Sequence, residues 1–295
     1  MKKIFVIGSI NIDLSIRAPY LPQKGETLTG GGFITAHGGK GANQAVAAAR
    51  LGGEVIMCGC VGKDDFGKAA VNSLRAEGID VSNIRVIEDC PTGSAVIIVI
   101  DGDNRIILDR GANERMTAEQ VDETLRNANC GDILLVQLEN PTEIIGHALK
   151  TGREKGMYVI LNPAPANAEI SPYLDFCDLV IPNETEAEIL GGRKALSERV
   201  KNLIVTVGGD GFEHYEEGQP ILYPCIPVKV VDTTAAGDTF CGGLCTRLAK
   251  GDDLIKAARY GGAAASLACT RKGAQPSIPT AEETANFLRT SEITL

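Results

Sequence analysis

Short apolar runs alternate with amphipathic segments along most of the chain. Residues 4–8 and 133–136 are apolar at nearly every position, which is typical of strands buried on both faces. Between such runs, apolar residues recur at helical spacing, as in 64–77 before Gly78, and 117–120 has the spacing of a capping box. The pattern predicts an α/β fold with a mostly parallel sheet. Further strands are predicted at 54–58, 158–161, 179–181 and 203–207, and further helices at 41–51, 141–155, 238–250, 252–270 and 280–289.

Three segments break this rhythm by alternating apolar and polar residues. They are 13–18, 94–101 and 105–109, and residues 102–104, which read GDN, join the last two. Alternation with a period of two indicates strands that are buried on one face only, and the short connection indicates a hairpin. We therefore expect a small flap of antiparallel strands inserted early in the α/β domain.

The composition excludes several classes of function. The chain has 44% hydrophobic and 23% charged residues and a net charge of −9, with no cluster of Lys and Arg, so we expect no nucleic-acid partner. No apolar run approaches the ~18 residues of a membrane span, and the apolar run at the N-terminus is too short for a signal peptide, so a cytoplasmic protein is expected. The nine cysteines form no CxxC pair and only three histidines are present, which favours buried, reduced thiols over a zinc site.

Residues 38–43, which read GGKGAN, open the Ala-rich predicted helix. Glycines allow backbone to approach a ligand closely, and a helix N-terminus offers free N–H groups. Lys40 and Asn43 in such a turn favour a ligand site over a packing turn, and Gly41 after the lysine excludes a Walker loop. Asn11 and Asp13 follow the first strand, where α/β sheets bind ligands, although a polar strand exit would also explain them.

Residues 230–240, which read VVDTTAAGDTF, place a run of small residues before a predicted helix. Consecutive N–H groups in such a turn, here within residues 233–237, form an anion hole. Asp238 in the first helical turn would be held ionised and could accept a proton from an attacking hydroxyl. Helix capping alone would explain Asp238, but not the small residues before it.

Two further motifs follow predicted strands and are less specific. Residues 183–186, which read NETE, suit a hydrated magnesium ion, or simply start a helix with acids that favour its dipole. Residues 206–211, which read TVGGDG, suit a nucleotide cradle or a hairpin turn. The residues alone leave both alternatives open.

Taken together, these motifs resemble those of the ribokinase-like (PfkB-type) sugar kinases. Residues 38–45 (GGKGANQA) and 232–238 (DTTAAGD) look like the two signature regions of that family, and 137–139 (QLE) and 270–279 (TRKGAQPSIP) are similar to further family segments. The resemblance spans about residues 3–288, in the family's order. The implied fold is a three-layer α/β/α core with a mostly parallel sheet, forming a single domain over residues 1–295, with a β-sheet lid from about 10–37 and 92–110.

The resemblance also implies a reaction, namely ATP-dependent phosphorylation of D-ribose at its 5-hydroxyl, with Mg²⁺ and K⁺ as cofactors and a homodimer formed through the lid. Asp238 matches the catalytic base, beside Ala235, Ala236 and Gly237 of the anion hole. The residues that match the sugar contacts are Asn11, Asp13, Gly38, Gly39, Lys40, Asn43, Glu139 and Asp238. Those that match the nucleotide side are Asn183, Glu186, Thr206, Gly208, Gly209, Asp210 and Gly211, with Asn183 and Glu186 tied to magnesium. Those that match the monovalent-cation loops are Asp232, Thr234, Ala268, Arg271, Gly273 and Ser277.

Departures from the family pattern keep an alternative open. Residues 191–203 form a shorter stretch than the family usually has, which puts a peripheral helix in doubt, and Gly261 and Gly262 stand where a polar residue often lies near the adenine. Another kinase of the same family, acting on fructose, a nucleoside or a related small sugar, is therefore the alternative. The low content of aromatic residues, 4%, argues against stacking a nucleoside base.

Overall fold

The computed structural model describes residues 1–101 and 103–291. The strands of this part of the chain are β1 (Lys3–Ile7), β2 (Asn11–Arg17), β3 (Gly31–Gly38), β4 (Glu54–Gly62), β5 (Asp80–Ile87), β6 (Gly93–Ile100), β7 (Asp103–Asp109), β8 (Ile133–Val136), β9 (Tyr158–Leu161), β10 (Leu179–Val180), β11 (Ile204–Thr206), β12 (Phe212–Glu216) and β13 (Gln219–Tyr223). The helices are α1 (Lys40–Arg50), α2 (Asp65–Ala76), α3 (Ala118–Leu125), α4 (Thr142–Glu154), α5 (Glu184–Ile189), α6 (Arg193–Arg199), α7 (Ala236–Ala249), α8 (Leu254–Ala268) and α9 (Ala281–Thr290).

A six-stranded parallel sheet forms the middle layer, in the order β10-β9-β8-β1-β4-β5. Alternate residues of its central strand enter opposite apolar layers, with Ile4 and Val6 on one face and Phe5 and Ile7 on the other. Helices α1, α7 and α8 cover the first face, and α3 and α4 cover the second. Burial on both faces is why the strand sequences are continuously apolar. The predicted α/β architecture with a mostly parallel sheet is confirmed.

A separate four-stranded sheet, in the order β3-β2-β6-β7, is the predicted lid and is called the lid below. Its outer pairs, β2–β3 and β6–β7, are antiparallel, as predicted. Its central pair, β2–β6, is parallel, so the expectation of a wholly antiparallel flap is wrong at this pair. Alternating polarity reports which face is buried but not the direction of the neighbouring strand, so the pattern could not show this. Gly102, in the predicted hairpin turn, lies outside the described residues.

Three details of the sheet and helix boundaries differ from the predicted pattern. Strand β11 joins the main sheet only through single bridges, such as Asn183 to Thr206, and its full ladder is with the β12–β13 hairpin. Thr117 caps α3, but the side chain of Gln120 turns inward to the carbonyl oxygens of Gly59 and Asn83, so only half of the capping box forms. The short stretch around 191–203 does contain a helix, α6.

All nine cysteines are free thiols, and five of them are buried. Burial raises the pKa of Cys60 to about 11, which keeps that thiol protonated. Cys130 is exposed, so the expectation of buried thiols does not hold throughout. None of the helices in the described part of the chain has the length and apolar character that crossing a bilayer requires.

Helices α1 and α7 touch each other through their backbones, and glycine makes this possible. A Cβ added to Gly242 of α7 would lie 2.5 Å from Cβ of Ala47 and 2.7 Å from the backbone nitrogen of Ala48, both in α1. Backbone cannot yield at such distances without moving a whole helix. This close packing of α1 and α7 also bears on the candidate active site, because both helices begin beside its polar residues.

We therefore expect Gly242→Ala to lower the free energy of unfolding by about 1–3 kcal/mol, because the added methyl separates α1 from α7. Gly262→Ala is the matched control, since the nearest atom to its added Cβ, in the ring of Phe212, is 4.0 Å away. The free energy of unfolding of Gly262→Ala should rise by about 0.5–1 kcal/mol, because alanine has the higher helix propensity. Urea unfolding measures both values, and equal effects of the two substitutions would contradict the packing argument.

Candidate active site

Polar side chains gather where the parallel strands end. Strand β1 ends at Ile7 and leads into Asn11, β8 leads into Glu139, and β9 leads into Asn162. Helices α1 and α7 both begin at this edge. The carboxyl edge of an open parallel sheet is where ligands bind in α/β folds, because loops and helix N-termini converge there.

Asp238 is the third residue of α7 and is 7% exposed. Its Oδ2 accepts a hydrogen bond from Nδ2 of Asn43 at 3.0 Å, and its Oδ1 accepts one from Nε2 of Gln44, also at 3.0 Å. The residue that caps α7 is Ala235, at φ 60°, without a side-chain cap. Asp238 is therefore bonded to α1 and does not cap its own helix, which removes the simplest structural explanation for it.

The turn into α7, formed by Ala235 and the first two residues of the helix, holds the three amides of the predicted anion hole. Nothing lies within 4 Å of a Cβ built on Gly237, so the turn is open on that side. The N–H of Ala236 donates to the carbonyl oxygen of Thr233 at 3.1 Å, and the carbonyl oxygen of Ala235 accepts from both the N–H and the hydroxyl of Thr239 at 2.8 Å. The left-handed conformation of Ala235 thus turns the chain sharply into the helix.

Glu139 joins the first strand's exit loop to the start of α1. Its Oε2 accepts from the hydroxyl of Ser9, from the backbone N–H of Lys40 at 3.0 Å and from Nδ2 of Asn11 at 3.4 Å. The Oδ1 of Asn11 in turn accepts from Nδ2 of Asn113 at 2.7 Å. The carboxylate thereby joins three segments distant in sequence, at residues 9–11, 40 and 139.

Asp13 lies in β2 of the lid and its carboxyl group faces the same cluster. Burial raises its pKa to about 6, and the negative charges of Glu139 and Asp238 add to the shift. A Cβ on Gly38, in the neighbouring strand β3, would lie 2.4 Å from Oδ1 of Asp13. Gly38 is therefore required as glycine because the carboxyl group occupies the space of a side chain.

Lys40 supplies positive charge among these carboxylates. Burial lowers the pKa of its ammonium group, but Asp238, Glu139 and Glu186 outweigh burial, so the pKa is raised overall. The residue before it, Gly39, has φ 89°, in the left-handed region that favours glycine. The structure thus brings the predicted sugar-side residues to one place.

The predicted nucleotide-side residues follow β10 and β11. Asn183 and Glu186 form a reciprocal capping box at the start of α5, in which Oδ1 of Asn183 accepts from the N–H of Glu186 and Oε2 of Glu186 from the N–H of Asn183, both at 2.8 Å. The helix-start interpretation of this motif is therefore correct, while Oε1 of Glu186 remains for other partners. Burial raises the pKa of Glu186.

The glycine-rich turn, Gly208–Asp210, links β11 to β12 and so also makes a hairpin connection. Cβ atoms built on Gly208 and Gly209 would meet nothing within 4 Å, whereas one on Gly211 would lie 2.1 Å from the carbonyl oxygen of Tyr223. Thr206, at the end of β11, bridges to Asn183. An open glycine surface therefore lies beside the start of α5.

The two predicted cation loops are in contact. Oδ2 of Asp232 accepts from the N–H of Gly273 at 2.9 Å, and its Oδ1 accepts from the N–H of Thr234 at 2.9 Å and from its hydroxyl at 2.6 Å. Burial opposes ionisation of Asp232, but these bonds prevail and its pKa is lowered. The guanidinium of Arg271 pairs with Glu283 of α9 at 2.7 Å, which leaves the backbone carbonyl as the group that Arg271 can offer a cation.

The last two predicted cation-loop residues flank this contact. The carbonyl oxygen of Ala268 accepts from the N–H of Arg271 at 3.0 Å. Ser277 is fully buried, and its hydroxyl donates to the carbonyl oxygen of Ala274. Both residues therefore belong to the segment that carries Gly273.

Comparison with known proteins shows the family of this chain. Residues 1–281 match the family described as pfkB family carbohydrate kinase. The chain belongs to the pfkB family of carbohydrate kinases. A ribokinase from Haemophilus influenzae is 40% identical over 301 residues, covering 97% of this chain and 98% of the relative.

Two solved structures resemble this kinase closely. The crystal structure of a ribokinase from Thermotoga maritima has a TM-score of 0.87 at 35% identity and covers 98% of this chain and 100% of its own. The structure of an Arabidopsis thaliana ribokinase complexed with ribose and ATP has a TM-score of 0.86 at 33% identity, covering 98% and 99% of the two chains.

Sequence reasoning missed several residues that hold the site of this kinase together. Gln44 and Gln137 lie inside family-like motifs and Ser9 lies in the polar exit of the first strand, but none of the three is assigned a role from the sequence. Asn162 and Asn113 carry no signal of their own. Only the structure shows that their side chains converge. A long polar side chain on the buried face of an Ala-rich helix, as at Gln44, is the one signal that could have been used.

The raised pKa of Asp13 predicts a cost in stability. The folded state holds this proton up to a pH of about 6, against a usual value of 3.8, so ionised Asp13 destabilises the fold at neutral pH and this penalty disappears as the pH falls through 6 towards 4. We expect Asp13→Asn to raise the free energy of unfolding by about 2–3 kcal/mol at pH 7.5 and to have little effect near pH 4.

Asp64 provides the control of opposite sign. It caps α2 and accepts from the N–H and hydroxyl of Thr92, and these hydrogen bonds outweigh burial and lower its pKa. Asp64→Asn should therefore lower the free energy of unfolding at pH 7.5. This loss of stability should disappear as the pH falls below the usual pKa range of an aspartate side chain. Urea unfolding of both variants at several pH values measures these changes in the free energy of unfolding. A lower free energy of unfolding for Asp13→Asn at pH 7.5 would contradict the expected penalty of ionised Asp13.

Proposed function

We propose that this kinase transfers the γ-phosphoryl group of ATP to the 5-hydroxyl of D-ribose. The observation that carries the proposal is Asp238, a buried carboxylate held by two amide donors at the start of α7, beside an open turn of small residues. The similarity to ribokinases over nearly the whole chain supports ribose as the sugar.

The sugar is proposed to bind between the lid and the start of α1. Asp13 and Glu139 accept hydrogen bonds from hydroxyl groups, while Asn43 can both donate and accept. Asn11 and Lys40 add donors, and Gly38 and Gly39 allow close approach of the backbone. A site of buried polar groups discriminates against sugars that leave these groups unpaired, by about 1–3 kcal/mol for each group.

Phosphoryl transfer then needs alignment and neutralisation of charge. The 5-hydroxyl oxygen attacks the γ-phosphorus, the bond from that phosphorus to the bridging oxygen of ADP breaks, and Asp238 takes the hydroxyl proton. Amides of Ala235, Ala236 and Gly237 stabilise the negative charge on the transferring group. The Ala236 N–H must leave Thr233 to take part. The products are D-ribose 5-phosphate and ADP.

ATP is proposed to lie along the open glycine turn, contacted by Thr206, Gly208, Gly209, Asp210 and Gly211. No group of three or more His, Cys, Asp or Glu suited to a metal occurs among the described residues. This fits Mg²⁺, which keeps most of its waters and binds chiefly through substrate phosphates. Asn183 and Glu186 would hold it through those waters, and the ion would neutralise phosphate charge.

A monovalent cation, K⁺, is proposed to bind at the joined loops of Asp232 and Gly273. The ionised carboxylate of Asp232 and the backbone oxygen atoms near Ala268 and Arg271 are the hard oxygen donors that such an ion takes. Thr234 and Ser277 complete the loops. Because the loop of Asp232 continues directly into the anion hole, the ion would act on catalysis by ordering that loop.

The lid is proposed to form a homodimer with the lid of a second copy. Leu14, Val96 and Ile107 lie on one face of this sheet and Ile34 and Ile106 on the other, and Val96, Ile107, Ile34 and Ile106 are exposed. One such face can cover the sugar and the other can meet the partner, since exposed apolar patches mark interaction surfaces. We also propose that the protein acts in the cytoplasm.

Steady-state kinetics with ATP and a panel of sugars tests the proposed substrate. D-ribose should exceed fructose and adenosine by at least ~10-fold in kcat/KM, a difference of ~1.4 kcal/mol. Adenosine places a base where the free anomeric hydroxyl should sit, and fructose adds a hydroxymethyl group there. The panel includes 2-deoxyribose. A higher kcat/KM for fructose or adenosine would overturn ribose but leave the family's chemistry intact.

Asp238→Asn is the control for chemistry in the same assay. It keeps the shape of the side chain but removes the proton acceptor, so kcat should fall by ~10²–10⁴-fold while ribose and ATP still bind, as measured by calorimetry. Turnover within about threefold of the unaltered enzyme would refute the assignment of the base.

Potassium should raise kcat by about fivefold or more over choline chloride at matched ionic strength, with little change in the KM for ribose. The reason is that the ion orders the anion-hole loop and does not touch the sugar. Asp232→Asn should lose this activation. Equal kcat with and without K⁺ in the unaltered enzyme would count against the site.

A further inference from the structure

Gln44 follows Asn43 in α1, is fully buried, and matches none of the sugar, nucleotide or cation contacts that the family resemblance implies. Its Nε2 donates to Oδ1 of Asp238 at 3.0 Å and to Oδ1 of Asn162 at 2.9 Å. We propose that Gln44 is a positioning residue that holds the Asp238 carboxylate where it can accept the proton of the sugar hydroxyl. This inference rests on the proposed function, because it concerns the proposed base.

The orientation of the Gln44 amide is fixed by acceptors at both ends of a hydrogen-bonded chain. The carbonyl of Ile181 can only accept, so the Asn162 amide donates to it through Nδ2, at 2.7 Å, and turns Oδ1 towards Gln44. The carboxylate of Asp238 also only accepts. Both neighbours therefore require Nε2 of Gln44 on their side.

Gln137 holds the other end of the same amide. Its Nε2 donates to Oε1 of Gln44 at 2.6 Å, and like Gln44 it is fully buried. A Cβ on Gly8 would lie 2.1 Å from Oε1 of Gln137, so the exit of β1 leaves room for this side chain only because residue 8 is glycine. The chain of amides is therefore packed as well as hydrogen-bonded, which suits a group that must not rotate.

Asn43 and Gln44 bind different oxygens of the same carboxylate and have different access to ligands. Asn43 donates to Oδ2 of Asp238 and accepts from Gln275 at 3.3 Å. Asn43 retains some exposure at 6%, whereas Gln44 has none. A sugar can therefore meet Asn43, but it can sense Gln44 only through Asp238.

Several charged and titratable groups act on Asp238 from the surrounding elements. Burial raises the pKa of Asp13 in β2 and of Glu186 in α5, and the charge of Asp238 adds to both shifts, so these carboxyl groups and Asp238 repel one another. Glu139 acts on Asp13 in the same direction. Lys40 in α1 attracts the carboxylates, and Cys241, one turn later in α7, is buried. Donors to the charged form must offset this repulsion. Gln44 is one of the two amides that do so.

The test compares pH profiles of kcat for the unaltered enzyme, Gln44→Met and Gln44→Glu. Gln44→Met keeps the size but removes the donor, so kcat should fall by about 10- to 100-fold while the KM for ribose changes less than about threefold. The acidic limb of the profile should move to higher pH. Gln44→Glu places a second carboxylate against Asp238 and should move that limb further, by about one pH unit or more.

Gln120→Met is the matched control for the loss of a buried amide. Gln120 is 2% exposed and donates to two backbone carbonyls beneath α3, away from Asp238. Gln120→Met should lower the free energy of unfolding but leave the acidic limb of the kcat profile in place. Acidic limbs that stay in place for both Gln44 variants would overturn the proposal, and so would a rise in KM without a fall in kcat.

Gln137→Leu tests the chain behind Gln44. It should lower kcat in the same direction but less, and the double variant Gln44→Met/Gln137→Leu should be no worse than Gln44→Met, because both act through one contact. If Gln44→Met fails to fold, Gln44→Glu, which keeps shape and polarity, still decides by its pH profile. Additive losses in the double variant would contradict a shared path.

The proposed function and this inference can fail separately. If the unaltered enzyme phosphorylates another sugar of the panel and not ribose, the proposed substrate fails and the same variants are compared on that sugar. If it phosphorylates none, a double-mutant cycle of Gln44→Met with Asp238→Asn in urea unfolding replaces kinetics. An interaction free energy indistinguishable from zero in that cycle would overturn the inference.

Discussion

A buried carboxylate that is bonded across two helices constrains this structure more than any other feature. Burial raises the pKa of Asp13 and of Glu186, and the charge of Asp238 adds to both shifts, so these carboxyl groups repel one another. Amide donors from α1 and the ammonium of Lys40 offset that repulsion. These donors are effective only if α1 and α7 lie close enough for side chains as short as Asn43 to bridge them.

The close approach of the helices explains where glycine occurs in the core of the structure. Gly242 lets α7 rest on the backbone of α1, and Gly41 lets α1 rest on the exit of β1, where a Cβ would lie 2.6 Å from the backbone of Gly8. The same packing holds Ser9 and the Lys40 N–H against Glu139. Core packing and site geometry are therefore one constraint, because any methyl that separates α1 from its neighbours also lengthens the bonds to Asp238.

The sequence allowed the fold class, the site edge and most site segments to be predicted, because each has a local signature. Continuous apolar strands indicate a parallel sheet, and the glycine-rich turns at 38–43 and 235–237 mark helix starts. The parallel pairing of β2 with β6 and the inward turn of Gln120 could not be predicted, since strand direction and the choice between two acceptors depend on neighbours distant in sequence. The amides of Gln137 and Asn162 were missed for the same reason.

The connection between β1 and β2 has a consequence for how the lid can move. Only residues 8–10 separate the central strand of the core from the lid strand that carries Asp13. Within this connection, Ser9 binds Glu139, and the N–H of Ile10 donates to Asn113 at 2.9 Å. The connection between the lid and the core is thus also part of the polar cluster that is proposed to bind the sugar. If the lid moves about this connection, the cluster must rearrange at the same time. Access to the proposed sugar site and the contacts within it would then change together.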